Sequence, residues 1–122
     1  MLKGGAILIF LVFVQGIFWD CRMQNIQESK NAQIRVINKT KHGFTNVSMY
    51  SMSFGTLQPN DTSGYKELKY DPLRHDPLIY CMNGDINYAR YLIIPDGDVE
   101  YCSYIIDSIS NRMIWITFQV DK

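Results

Sequence analysis

The 122-residue sequence has no net charge, because 12 Lys and Arg residues balance 12 Asp and Glu residues. Nucleic-acid binding depends on a basic surface that neutralises phosphates, and no basic patch or run is present in the sequence. For the same reason, no segment is basic enough to hold an anionic membrane surface. The composition predicts no nucleic-acid partner, and any membrane attachment has to come from another feature.

Groups suited to catalysis or metal binding are also scarce. His42 lies in a polar turn and His75 lies between two Asp-Pro pairs. Neither histidine has a metal-site spacing such as His-x-x-x-His, and no neighbour orients either ring as a general base. We therefore predict a non-enzymatic protein with no catalytic residue, metal or cofactor. The alternative is a small envelope hydrolase or metal-dependent enzyme that uses the His75 loop, with Asp71 and Asp76 beside the imidazole.

The first 20 residues contain almost no polar side chains. Lys3 precedes an apolar run from Ala6 to Val14, and the apolar character continues to Trp19. The run is apolar on all sides, unlike an amphipathic core helix. It covers about 16 residues, fewer than the roughly 20 that cross a hydrocarbon core. We interpret residues 1–20 as a hydrophobic signal helix, with an uncleaved anchor as the alternative.

The leader ends at Cys21, one of three cysteines in the sequence. Its position resembles that of the acylated cysteine of bacterial lipoproteins, which becomes the first residue of the mature chain. If Cys21 carries lipid, Cys81 and Cys102 remain as an even pair. In an oxidising envelope, a disulfide between them is one of two alternatives. The alternative is that both are small, buried apolar residues.

After a polar tether at residues 21–32, apolar and polar residues alternate with a period of two, which is typical of strands. Asn83-Gly84 is the strongest hairpin signal, and we predict that these two residues form a primed turn. The pattern predicts an all-β domain at residues 33–122, an antiparallel β-sandwich of immunoglobulin-like or transthyretin-like type, or an open barrel, with about seven strands. The predicted strand segments are 33–38, 44–54 with a bulge near Met49, one beginning at 65–68, 78–82, 85–94, 99–107 and 113–120.

Two segments carry a resemblance to a known family. Phe54 to Leu68, with its Phe-Gly-Thr-Leu turn followed by Thr-Ser-Gly-Tyr-Lys-Glu, and the earlier Ile34-Arg35-Val36 segment resemble small, uncharacterised lipoproteins of Bacteroidetes. The resemblance covers nearly the whole chain. It implies an exported β-sandwich of the cell envelope without known catalytic residues.

The sequence contains eight tyrosines, which cannot all point inward on alternating strands. We predict an exposed aromatic surface, with Tyr50, Tyr70, Tyr88 and Trp115 as candidates for binding a glycan or an envelope protein. The alternative is that tyrosine is present as a favourable strand residue. The predicted function is a membrane-tethered envelope lipoprotein that acts as a binding or structural module. Glycan binding through exposed Tyr and Trp is a second candidate.

Overall fold

The computed structural model describes residues 31–122, so the leader, Cys21 and the tether up to residue 30 lie outside the described residues. The predicted all-β sandwich is confirmed: eight strands form two four-stranded sheets. Within residues 31–122, no helix is long and apolar enough to cross a membrane. The strands are β1 (Ala32–Asn38), β2 (Phe44–Met49), β3 (Met52–Leu57), β4 (Lys66–Leu68), β5 (Leu78–Asn83), β6 (Ile86–Tyr91), β7 (Tyr101–Ser110) and β8 (Met113–Val120).

The first sheet has the strand order β4-β1-β7-β8. Ala32, Ile34 and Val36 of β1 are buried, whereas the residues between them are partly exposed, as the alternating sequence predicts. The pairing of β1 with β7 is parallel, which differs from the antiparallel arrangement that we expected. Parallel neighbours need a long crossover connection. Here the connection is long, because all four strands of the second sheet lie between β1 and β7 in the sequence.

The second sheet has the order β3-β2-β5-β6. Our prediction of one strand at residues 44–54 is wrong, because the chain turns back at Tyr50 and Ser51 to form the β2–β3 hairpin. Both residues have positive φ, 53° and 63°. Residues other than glycine and asparagine seldom adopt a positive φ. Because the turn contains neither glycine nor asparagine, the sequence gives no local signal for it.

The β5–β6 hairpin is present, but its turn lies one residue later than predicted. Asn83 pairs with Ile86, so Gly84 and Asp85 are the central residues. Gly84 has a φ of 61°, whereas Asp85 does not have a positive φ. A glycine followed by another residue is the sequence preference of a type II′ hairpin turn.

The core lies between the two sheets and is mostly aliphatic. A fully buried Ile, Leu or Phe side chain contributes about 1.5–3 kcal/mol to folding. At one open side of the sandwich, β6 and β8 approach each other, and the Arg90 guanidinium carbon lies 4.5 Å from the ring centre of Trp115. The fully buried large side chains include Phe44, Tyr50, Tyr104, Ile34, Met49, Leu68, Ile79, Ile106 and Ile114.

The two ends of the sandwich have different loops. We call the end where β1 begins the proximal end, and the opposite end the distal end. Because Ala32 pairs with Leu68, and Gln33 pairs with Tyr101, the connections that leave β4 and enter β7 are proximal. The proximal end carries residues 50–51, 69–77 and 92–100. The distal end carries residues 39–43, 58–61, 84–85 and 111–112.

Asn38 closes the distal end from inside. Its side chain is fully buried, and its Nδ2 donates to the carbonyl oxygens of His42 at 2.7 Å and Gln58 at 3.1 Å. A longer bond of 3.4 Å reaches the carbonyl of Leu57. The Asn38 Oδ1 accepts from the backbone N–H and the hydroxyl of Thr40. One side chain thus ties the end of β1 to two neighbouring loops.

Candidate functional site

His75 lies in the proximal loop that connects β4 to β5. The Asp71 carbonyl accepts from the backbone N–H groups of Arg74 at 2.9 Å and His75 at 2.8 Å. In return, the Asp71 backbone N–H donates to His75 Nδ1 at 2.9 Å. A neutral imidazole with an accepting Nδ1 carries its proton on Nε2. The Nδ1 atom of His75 therefore takes part in a hydrogen bond within its own loop.

An open cleft of about 730 Å³ lies beside this loop. Asp76 does not line it, because the Asp76 backbone turns toward Ser51 and its N–H donates to Ser51 Oγ at 3.3 Å. Within residues 31–122, no group of three His, Cys, Asp or Glu side chains is placed to hold a metal ion. The structure therefore does not gather Asp71, His75 and Asp76 into one cleft. The lining residues are Glu67, Lys69, Tyr70, Asp71, Pro72, Arg74 and His75.

A chain of aromatic rings leads from His75 into the core. Tyr70 stacks on His75 with ring centres 6.2 Å apart, and it makes an edge-on contact with Tyr50, whose ring centre is 5.9 Å away. The hydroxyls of Tyr50 and Tyr104 are 2.8 Å apart, and the Ile93 carbonyl accepts from Tyr104 at 2.5 Å and lies 3.1 Å from the Tyr50 hydroxyl. This buried tyrosine pair anchors the segment between β6 and β7 to the core.

The tyrosine pair stays protonated at physiological pH. Burial raises the pKa of Tyr50 to about 12, although the hydrogen bond with Tyr104 acts in the opposite direction. Burial also raises the pKa of Tyr104, and the neighbouring Tyr50 adds to that increase. Because a buried phenolate would be poorly solvated, the neutral forms are favoured. The pair is suited to structural hydrogen bonding and not to acid–base chemistry near neutral pH.

A second polar cluster covers the outer face of the first sheet. Arg35 Nε donates to Ser103 Oγ at 2.8 Å, and Ser103 Oγ donates to Asp121 Oδ2 at 2.6 Å. The same carboxylate accepts from the Tyr65 hydroxyl at 2.8 Å. Burial acts to raise the pKa of Asp121, but hydrogen bonds from Ser103, Gln119 and Tyr65 outweigh it, so the pKa is lowered. Ser103 is fully buried within this cluster.

Two of the four residues predicted to form an exposed aromatic surface, Tyr50 and Tyr88, are buried. Tyr50 is fully buried, and Tyr88 is 5% exposed, because Tyr88 lies opposite Cys81 on the inward face of the β5–β6 hairpin. Tyr70 is half-buried between Tyr50 and His75. Trp115 is exposed, and Arg90 lies over its ring. The four predicted residues therefore do not form one surface.

The sequence interpretation did not single out Tyr80 and Tyr91, which are 43% and 78% exposed. Tyr80 lies opposite Ala89, and Tyr91 lies opposite Leu78, so the two tyrosines are diagonal neighbours on one face. Alternation with the inward residues Ile79 and Cys81 is the signal that places Tyr80 outward. We call the outer surface of this hairpin the hairpin face. It comprises Leu78, Tyr80, Met82, Ala89 and Tyr91.

Cys81 and Cys102 do not form the disulfide that the cysteine count allowed. Cys81 and Cys102 are both free and buried, and they belong to different sheets. Burial raises the pKa of each thiol to about 12, with a smaller contribution from Asp121 at Cys102. Thiols with such a high pKa are poor nucleophiles and poor metal ligands near neutral pH. Both residues fill the core.

No family model, no curated protein and no solved structure matches this chain. The resemblance to Bacteroidetes lipoproteins therefore stays a prediction. The functional argument depends on the chemistry and placement of the residues described above.

Proposed function

We propose that this protein is a lipoprotein of a bacterial cell envelope, exported and tethered to the membrane through residues 1–21, whose β-sandwich is a non-enzymatic binding module. The attachment is supported by the apolar run from Ala6 to Val14 and by Cys21 at its end. The balanced charge leaves no basic segment to replace that attachment. The polar residues up to Ala32 then serve as the tether.

The observation that carries the binding role is the hairpin face. Tyr80 and Tyr91 are exposed on one side of two paired strands, with Leu78 and Met82 on the same side. A tyrosine ring buries a large area at a low cost in conformational entropy and keeps a hydroxyl for hydrogen bonding. Exposed aromatic side chains on a rigid strand pair are therefore suited to holding a partner.

The other reactive groups described here are either hydrogen-bonded within the fold or buried in their protonated form. Ser103 and Asp121 bond to each other, His75 Nδ1 bonds to its own loop, and both buried cysteines carry protonated thiols near neutral pH. An enzyme needs such groups to converge on a substrate position. This arrangement favours a binding role over a hydrolase built on His75.

A glycan is the second candidate ligand, and one feature of the hairpin face favours it. Polar residues of β2 and β6 lie directly across from its apolar members: Ser48 opposite Tyr80, and Thr45 and Asn87 opposite Met82. Sugars are bound by stacking on aromatic rings combined with hydrogen bonds to their hydroxyls. The hairpin face offers both kinds of contact.

The attachment is tested by mass spectrometry of the full chain expressed in a bacterium with lipoprotein processing. We expect the membrane-extracted protein to begin at an acylated Cys21. In the Cys21→Ser control, that lipid adduct should be lost. An intact Met1 would replace lipidation with an uncleaved anchor, and a chain recovered without lipid or leader in the soluble fraction would contradict membrane tethering.

The binding role is tested by photocrosslinking in the same cells. A benzophenone amino acid replaces Tyr80 or Tyr91 in the full chain, and the control replaces Gln119, an exposed residue of the other sheet. We expect discrete adducts at the two hairpin positions and not at the control. Resistance of the adduct to protease distinguishes a glycan from a protein partner. Equal or absent adducts at all three positions would contradict this role of the hairpin face.

A further inference from the structure

The proximal loops expose large aliphatic side chains. Leu73 is 94% exposed, Ile93 is 63% exposed and Ile94 is 40% exposed. Loop positions usually hold polar or turn-forming residues, so several exposed aliphatic side chains at one end of a domain are unusual. We call Leu73, Ile93 and Ile94 the proximal tip.

The backbone holds these side chains outward. The Leu73 N–H donates to Asp71 Oδ1 at 3.0 Å, and the Ile93 carbonyl accepts from the buried Tyr104 hydroxyl. The preceding residue, Leu92, donates its N–H to the Pro77 carbonyl at 2.8 Å, which joins the two proximal segments. Turning Leu73 or Ile93 toward the core would break these bonds. Their exposure is therefore built into the fold.

The chain that precedes the sandwich joins it at this same end. The Gln33 N–H donates to the Glu100 carbonyl at 2.7 Å, so the beginning of β1 lies beside the segment that contains Ile93. Cys21 precedes Ala32 by 11 positions. That length spans at most about 40 Å when fully extended. For comparison, a flexible coil of the same number of residues spans roughly 20 Å.

We propose that the proximal tip rests on the lipid bilayer, with Leu73, Ile93 and Ile94 inserted at the interface between headgroups and acyl chains. This inference rests on the proposed membrane tether. The tether keeps the tip close to the bilayer, so each encounter is intramolecular and weak apolar contacts are sufficient. A sandwich held in this way points its distal end away from the membrane and leaves the hairpin face open at the side.

The charges at the proximal end determine which lipids are suitable. Acidic side chains outnumber basic ones there, so electrostatic attraction to an anionic surface does not contribute. We expect contact with zwitterionic phosphatidylcholine, little change with added salt and weaker contact when anionic lipid is included. The basic residues are Lys69, Arg74 and Lys122, and the acidic residues are Asp71, Asp76, Asp96, Asp98, Glu100 and Asp121.

The test uses the full chain reconstituted into phosphatidylcholine vesicles. A benzophenone amino acid replaces Leu73 or Ile93 in separate variants, and matched controls carry it at Ile86 or Met113. These controls are exposed apolar residues beside the distal turns, at 39% and 45% exposure. We expect the yield of lipid adducts to be several-fold higher at the proximal positions. A proximal variant that loses its β-sheet circular dichroism signal is replaced by one labelled at Tyr91.

Flotation of the same vesicles separates the two proposals. If the protein does not float, the membrane tether fails and the proposal for the tip fails with it. If the protein floats but the proximal and distal positions give equal lipid adducts, the tip proposal is overturned while the tether stands. Crosslinks from Leu73 or Ile93 to residues 1–30 of the same chain, or to a second copy, in place of lipid would also overturn it.

Discussion

The two ends of the sandwich are closed in the same way but differ on the outside. At the distal end the buried side chain of Asn38 bonds to the loop carbonyls, and at the proximal end the buried hydroxyls of Tyr50 and Tyr104 bond to the carbonyl of Ile93. The proximal loops also expose Leu73 and Ile93. Beside the distal turns, Ile86 and Met113 are only 39% and 45% exposed, whereas Leu73 and Ile93 are 94% and 63% exposed. Closing an end therefore does not require aliphatic side chains as exposed as those of the proximal loops. The proximal tip is therefore better explained by contact with another surface than by folding.

The largest expected effect on stability is at the distal end. Asn38→Ala removes the acceptor of the buried Thr40 N–H and takes one of two donors from each of the carbonyls of His42 and Gln58. A buried donor left unsatisfied costs about 1–3 kcal/mol and each further lost hydrogen bond about 0.5–1.5 kcal/mol, so we expect a loss of about 3 kcal/mol in the free energy of unfolding. Denaturant unfolding measures it, with the exposed Asn87→Ala as the control. A loss no larger than that of the control would mean that Asn38 does not hold the distal end.

At the proximal end, alkaline pH should have the next largest effect. Burial raises the pKa of Tyr50 to about 12 in the folded protein, above the ordinary value of 10.0. The stability that comes from protonated Tyr50 is complete below pH 10 and is lost as the pH rises through 12. Two pKa units correspond to about 2.7 kcal/mol.

Urea unfolding at pH 9 and at pH 11.5 tests this loss, with Tyr50→Phe for comparison. We expect the variant to lose less stability than the wild type between the two pH values. The same loss in both proteins would show that Tyr50 does not govern the alkaline sensitivity.

Removing one hydroxyl from the tyrosine pair should have a smaller effect. Tyr104→Phe keeps the buried ring but removes the donor to the Ile93 carbonyl. Tyr50 remains 3.1 Å from that carbonyl and can replace the donor, so we expect a loss of about 1–2 kcal/mol. Thermal or denaturant unfolding measures it. Tyr80→Phe is the matched control, and an equal loss in both variants would contradict the role of the pair.

The smallest effect on stability should come from the proximal tip itself. Leu73→Ser and Ile93→Ser change side chains that are mostly exposed, and surface substitutions usually change stability by within about 0.5 kcal/mol. We expect the unfolding midpoint to stay the same while the contact with lipid is lost. A large fall in stability would instead assign these residues to the core.

Much of the fold could be predicted from local patterns. The alternation in β1 and β8 is clear in the sequence because each strand has one inward face. The same rule places Tyr88 inward, since any register set by a two-residue turn at residues 83–85 puts it on the face of Ile79 and Cys81. Applying alternation across the hairpin would have selected Tyr80 in place of Tyr88.

Other features depend on distant contacts and have no local signal. The turn at Tyr50 and Ser51 lacks glycine and asparagine, and the burial of the Tyr50 ring against Tyr104 accompanies its positive φ. The parallel pairing of β1 with β7 joins segments far apart in sequence. The proximal tip was missed for the same reason. Leu73 and Ile93 belong to two loops that lie at the same end only because of the strand order.

The contrast between the two ends is tested most directly by hydrogen exchange of the full chain in phosphatidylcholine vesicles. The wild type is compared with the Leu73→Ser/Ile93→Ser variant. We expect the backbone amides of residues 71–77 and 92–96 to exchange more slowly in the wild type, while the distal turns at 84–85 and 111–112 exchange equally in both proteins. Equal exchange at the proximal loops, or a change of the same size at both ends, would contradict a membrane-facing proximal end.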